Sequence, residues 1–284
     1  MAIAIVTDST SDIVPERARE IDVSIVPLLV IFGDRSYRDY IDLSRAQFYE
    51  KLETQSALPI TSQPTSQMFE DAFRPLVEAG SSILCITVSS HLSGTINAAR
   101  AAKERFPGAT IEIYDSLTAA GGLGMMVMRA ANLRTLGAGM PEILAILDRE
   151  RATQRLYACL PDLSHLARTG RIGKAKAALG TLMKIVPVLS LKDGSVNAEA
   201  QVRTFARAQE TMLNLAVAAA PDVTKTRFLV MHTNALPLAQ AVLEKLRVRL
   251  HGVTPRTLDI IEAGPVIATH GGPGAVGIFV AIEQ

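Results

Sequence analysis

The chain has 284 residues, enough for one large domain or two ordinary ones. It is 48% hydrophobic and 20% charged, with a mean hydropathy of +0.23, which excludes a disordered chain and fits a well-filled core or a cavity lined for an apolar ligand. Its 29 basic residues nearly balance 28 acidic ones, so there is no basic excess of the kind a general nucleic-acid binder carries.

Ala2 to Thr7 reads as a short buried strand, followed by the polar turn Asp8-Ser9-Thr10-Ser11-Asp12. Pro15 suits the first turn of a helix. Val23 to Ile31 reads as one apolar strand, and Ser44 with Gln47 forms a capping box for a helix to about Leu52. Residues 55–64 are rich in Ser, Thr and Pro and read as a loop, with a helix from about Ser66 to Ala79. Ile83 to Val88 is a third strand, then a polar turn from Ser89 to Gly94, then a helix opening near Thr95. Thr110 to Tyr114 is a fourth strand ending at Asp115-Ser116, followed by a long helix to about Leu136. Strands separated by helices predict a largely parallel sheet with helices on both faces.

The second half has another character. Pro187 to Lys192, the dipeptide Asp193-Gly194 and Ser195 to Gln201 predict a hairpin. Helical patterns cover about Phe205 to Ala219 and Leu236 to Leu250, and strand-like runs fall at Arg227 to Met231, Thr257 to Ile261 and Val276 to Ile282. The expected organisation is an α/β protein with two domains: an N-terminal α/β domain over 1–155 and a C-terminal α+β domain over 156–284.

Cys85 and Cys159 each sit in an apolar stretch and read as packing residues of a reducing compartment. No apolar run is long enough to span a bilayer; Val23 to Phe32 is too short and contains Pro27. The N-terminal stretch lacks the positive region of a signal peptide. These features predict a cytoplasmic protein without stable membrane insertion.

Three strands of the first half end in turns dense with Ser, Thr and Asp: Asp8/Ser9, Ser89 to Ser93 and Asp115/Ser116. In an open parallel sheet such ends share the edge where ligands bind. Helix capping alone accounts for any one of these turns. It accounts less well for Ser89, Ser90, Ser93, Thr95 and Asn97 together. Ser93-Gly94-Thr95 opens a helix, where free N–H groups favour an anion. There is no Walker loop, and Gly272 to Gly277 matches a dinucleotide fingerprint only by letters, because a strand follows it. The five histidines show no metal-ligand spacing, and no nucleophile elbow is present, so neither a metal site nor a catalytic triad is expected. Arg168, Arg171, Lys174 and Lys176, interrupted by Gly170 and Gly173, are equally well read as a solvated face or as an anion- or partner-binding surface.

Taken together, these segments resemble the DegV family along nearly the whole chain. The matching stretches, in family order, are Thr7 to Asp12, Thr61 to Thr65, Ser89 to Thr95, Asp115-Ser116, Gly170-Arg171-Ile172, Arg203-Thr204 and His270 to Gly274. The resemblance implies a two-domain fold related to the dihydroxyacetone-kinase substrate domain, with one long-chain fatty acid such as palmitate bound between the domains. It places the carboxylate contacts on Thr61 and Ser93, with Ser62 and Gly94 close by. Arg171, Arg203 and His270 fall at positions near the head group or facing a partner. It further implies a protein without catalysis or cofactor of its own, which presents the carboxylate to a separate ATP-binding fatty acid kinase subunit. Thr169, Val186 and Thr65 depart from the usual family residues. The alternatives are a phosphotransferase acting on a small hydroxylated substrate, which rests on fold analogy alone, and an interaction module built on the basic run.

Overall fold

The computed structural model describes residues 2–55, 57–173, 175 and 185–283; Lys174 and Lys176 of the basic run lie outside these. The chain forms two compact units, one of residues up to Asp148 together with Gly264–Thr269, the other of Arg149–Ala263 with the residues from His270 onward. The division near residue 148 falls inside α6 (Met140–Thr153), a helix that the sequence pattern does not reveal. The later return of Gly264–Thr269 to the first unit has no sequence signal either.

In the first unit, β1 (Ile3–Asp8), β2 (Val23–Val26), β6 (Ser82–Thr87) and β7 (Ile111–Asp115) form a parallel sheet in the order β2-β1-β6-β7. The predicted strand over 23–31 is in fact two. Pro27 lacks an N–H for the ladder and ends β2; Leu29–Phe32 (β3) then joins a different sheet. That sheet is antiparallel, with β4 (Arg35–Arg38) and β5 (Ile60–Ser62) on either side of β3. β5 corrects the reading of residues 55–64 as loop throughout. It is three residues long, too short for alternation to show, and it is held by pairing with β3, Val30 opposite Thr61.

Helices cover both faces of the parallel sheet. α3 (Ser66–Glu78) and α4 (Thr95–Lys103) bury Phe69, Phe73, Ala98, Ala99 and Ala102 against Val6, Ile83 and Cys85. Side chains alternate along a strand, so the buried Ile5, Leu84 and Ile86 point the other way, toward α5 (Gly121–Thr135), which contacts β1 and β6. α1 (Pro15–Glu20) begins on Pro15 as expected. α2 (Arg45–Thr54) carries both hydrogen bonds of the predicted capping box between Ser44 and Gln47.

The second unit holds a six-stranded mixed sheet, in the order β10-β9-β8-β13-β11-β12. Its strands are β8 (Arg155–Cys159), β9 (Val186–Lys192), β10 (Ser195–Val202), β11 (Thr226–His232), β12 (Thr257–Glu262) and β13 (Val276–Ile282). The predicted hairpin forms through Asp193 (φ 51) and Gly194 (φ 78), the two left-handed positions of a tight primed turn. α8 (Phe205–Ala218) and α9 (Leu236–Arg249) pack one face around Met212, Leu213, Val242, Leu246 and Phe228. The run from Gly272 to Gly277 is a turn into β13, as the rejection of a dinucleotide motif requires.

Candidate functional site

The parallel sheet reverses its strand order between β1 and β6, since the chain runs outward from β1 to β2 on one side and returns to β6 on the other. Crevices at such reversals, beyond the carboxyl ends of the strands, are where α/β sheets bind ligands. The three predicted polar turns meet along this edge. Asp8 accepts the Val88 N–H at 2.7 Å, joining the end of β1 to the end of β6. Asp115 accepts the Ser90 N–H at 3.1 Å, and the Ser89 N–H donates to the Thr118 carbonyl at 2.9 Å. Part of the hydroxyl density is therefore architectural: Asp8 caps the short helical turn Ser9–Ser11, as the capping argument has it, whereas Asp115 ties Ser90 to the end of β7 and the N-cap of α5 is Ala120.

Ser93, Gly94 and Thr95 behave differently. Gly94 occupies the N-cap of α4 and supplies no capping side chain. The Ser93 Oγ accepts the Thr95 N–H at 3.3 Å and lies 2.8 Å from the Thr95 Oγ1. Whichever hydroxyl donates within that pair, one hydroxyl proton remains for a third group. The helix dipole points its positive end at the same place.

The second hydroxyl segment, Thr61-Ser62, comes from β5 and is half-buried. Gln63 connects the two. Its Oε1 sits only 2.1 Å from where a β-carbon on Gly94 would be. Thr61, Ser62, Ser93 and Gly94, which are distant in sequence, thus belong to segments in contact. Nothing local in the sequence singles out Gln63. The available signal was Gly94, a glycine where Ser, Thr or Asp is the better cap. Only Gly leaves room for the Gln63 carboxamide.

The other predicted residues lie in the second unit. Arg171 follows α7 (Ser164–Arg168) and donates to the Thr169 carbonyl at 2.7 Å. Thr169 has an ordinary right-handed backbone, and its hydroxyl donates to the His165 carbonyl; the left-handed position is Gly170 at φ 73. His270 lies in the last turn of α10 (Pro265–Gly271). Burial first, then the positive charges of Arg171 and Arg168 and the neighbouring His165, bring its pKa down to about 3. His270 is therefore neutral at pH 7. It can exchange hydrogen bonds with a carboxylate and carries no positive charge of its own at that pH. His165 also lies against Gly272, whose φ of 70 and missing β-carbon accommodate the ring. Arg203 is exposed, beside the Thr204 N-cap of α8.

Among the described residues, no group of three or more His, Cys, Asp or Glu is placed to hold a metal ion. No helix among them is long and apolar enough to cross a membrane. Both cysteines are buried and free of disulfides.

Comparison with known proteins places the chain in a family. The family described as "Uncharacterised protein, DegV family" matches residues 2–283. A DegV domain-containing protein of Halalkalibacterium halodurans is 36% identical, over 99% of each chain. A fatty-acid-binding DegV family protein from Thermus thermophilus superposes with a TM-score of 0.92 at 34% identity, covering 99% of this chain and 100% of its own. A stearic-acid-binding protein from Eubacterium ventriosum gives 0.91 at 26% identity, covering 99% and 98%. The chain that brings Gln63 onto Gly94 at the edge of its parallel sheet belongs to the DegV family.

Proposed function

We propose that this protein binds one long-chain fatty acid, with palmitate as the representative length, and holds its carboxylate at the Thr61 and Ser93 hydroxyls, with Ser62 and Gly94 alongside. The observation that carries this reading is the contact between Gln63 and Gly94. It joins two hydroxyl-bearing segments at the positive end of α4, in a family whose solved members include fatty-acid-binding proteins. A helix N-terminus and hydroxyl donors are what a carboxylate removed from water requires.

The energetics divide the work. Roughly 14 methylenes at ~0.8 kcal/mol each give about 11 kcal/mol gross. Association costs about 4–15 kcal/mol. The acyl chain therefore dominates affinity. Hydrogen bonds to the charged head group, about 1.5–3 kcal/mol each, fix its position.

The protein acts without catalysis of its own and presents the carboxylate to a separate ATP-binding kinase. Exposed Arg203 and the cationic group of Arg168 and Arg171 around neutral His270 suit an anionic face of that partner. Mass spectrometry of the natively purified protein tests the lipid reading, with a stoichiometric fatty acid as the expected result. A lipid-free protein that also refuses added palmitate overturns it.

A further inference from the structure

The first unit contains a second concentration of buried charge that the lipid reading does not use. Asp8, Asp12 and Asp39 are all at most 5% exposed, and the cation beside them is Arg45. Asp8 is well satisfied, accepting from the Thr10 N–H at 3.0 Å, the Thr10 hydroxyl at 2.5 Å and the Val88 N–H at 2.7 Å. Asp12 accepts one bond, from the Gly264 N–H at 2.8 Å. Among the described residues its Oδ2 has no hydrogen-bond partner, and neither oxygen of Asp39 has one. Arg45 donates to the Tyr40 hydroxyl at 3.0 Å, its guanidinium carbon is 5.3 Å from the centre of that ring, and its Nε has no partner.

Asp12 and Asp39 are buried carboxylates close enough to interact electrostatically. The Gly264 N–H, the nearby Ser9 hydroxyl and Arg45 oppose the effect of burial, but removal from water favours a proton on at least one of the two. We propose that Asp12 and Asp39 hold one proton between them at neutral pH, and that losing it loosens the Gly264–Thr269 segment. The link is Gly264. Asp12 holds its N–H, and the Tyr40 hydroxyl lies 2.5 Å from where its β-carbon would be. Two residues on, Val266 and then Ala268 bury themselves with Leu28, Val30, Phe32 and Phe48.

The electrostatic surroundings favour the proton. Burial raises Asp12 to about 7, with Asp8 adding to the rise and the Gly264 N–H and Arg45 opposing it. Burial also raises Asp39 well above the ordinary range, with Asp12 and Asp8 adding and the nearby Ser9 hydroxyl and Arg45 opposing. Tyr40 is raised by burial and by Asp12, so it stays neutral. From β6, the Cys85 thiol is pushed up by burial and by Asp8, and stays neutral too. The first two turns of α5 and the segment Gly264–Thr269 contribute no ionisable side chain. Because both carboxyl groups bind protons more tightly folded than unfolded, their contribution to stability is complete below the ordinary carboxylate range. The part that belongs to Asp12 is lost as pH rises through about 7.

Amide hydrogen exchange of the full-length protein tests this, compared at about pH 6 and about pH 8.5 after correction for intrinsic rates. Protection of Gly264–Thr269 should fall roughly tenfold across that step, and the double variant Asp12→Asn/Asp39→Asn, which keeps both shapes without the charges, should remove the dependence. Infrared spectroscopy of the unmutated protein adds a readout independent of any variant: a neutral carboxylic-acid band at pH 7 that disappears over the same range. Protection that is indifferent to pH, a profile unaltered in Asp12→Asn/Asp39→Asn, or no such band overturns the proposal.

Discussion

The Gln63 carboxamide lies over Gly94 so closely that residue 94 has no room for a β-carbon while Gln63 keeps its place. Gly94→Ala should therefore push Gln63 aside. The backbone at 94 is ordinary, with φ −75, and the obstacle is the end of a flexible side chain, so stability should change by no more than about 1 kcal/mol. Palmitate binding should weaken measurably. Paired thermal melts and fluorescent fatty-acid displacement check this; unchanged affinity would mean that the contact does not shape the site.

Ser93→Ala removes one hydroxyl from the pair with Thr95. Losing one charge-assisted hydrogen bond costs about 1.5–3 kcal/mol, or roughly one to two decades in Kd for a fatty acid. The protein should remain folded. A large fall in the melting temperature of the lipid-free form would identify Ser93 as chiefly a support for the start of α4.

Much of this was readable in the sequence, for reasons that differ by element. Pro15, the Ser44/Gln47 capping box and Asp193-Gly194 mark their elements through local chemistry, which survives without knowledge of the rest of the chain. β5 was not readable. Its three residues acquire their conformation from β3, and Thr61 sits in it. The two halves of the run over 23–31 look alike in hydrophobicity but pair in different sheets, and only Pro27 hints at the break. The partnership of Gln63 with Gly94, and of Asp12 with Gly264 across 252 positions, are tertiary facts with no local signature.

Gly124→Ala tests how tightly α5 is seated. A β-carbon there would fall 2.3 Å from the Ser11 carbonyl oxygen, a backbone atom that cannot rotate away. Overpacking of this kind costs about 1–3 kcal/mol. Chemical denaturation should show a loss in that range, and an unchanged midpoint would show that the turn after β1 yields freely.

His270 predicts an acid-side loss of stability. Its folded pKa is about 3, against 6.5 for an ordinary histidine, so the unfolded chain binds the extra proton in between. This contribution is present above 6.5 and is lost as pH falls toward about 3, opposite in sign to that of Asp12 and Asp39. His270→Gln should flatten the acid limb of a stability–pH curve. An identical acid limb in the variant would show that His270 is more accessible to protons than its surroundings indicate.

The most direct test is a crystal structure of the protein with palmitate bound. The account predicts a carboxylate within hydrogen-bonding distance of both the Thr61 and Ser93 hydroxyls, with Gln63 still over Gly94. A fatty acid whose head group lies elsewhere, with those two hydroxyls turned to other partners, contradicts it.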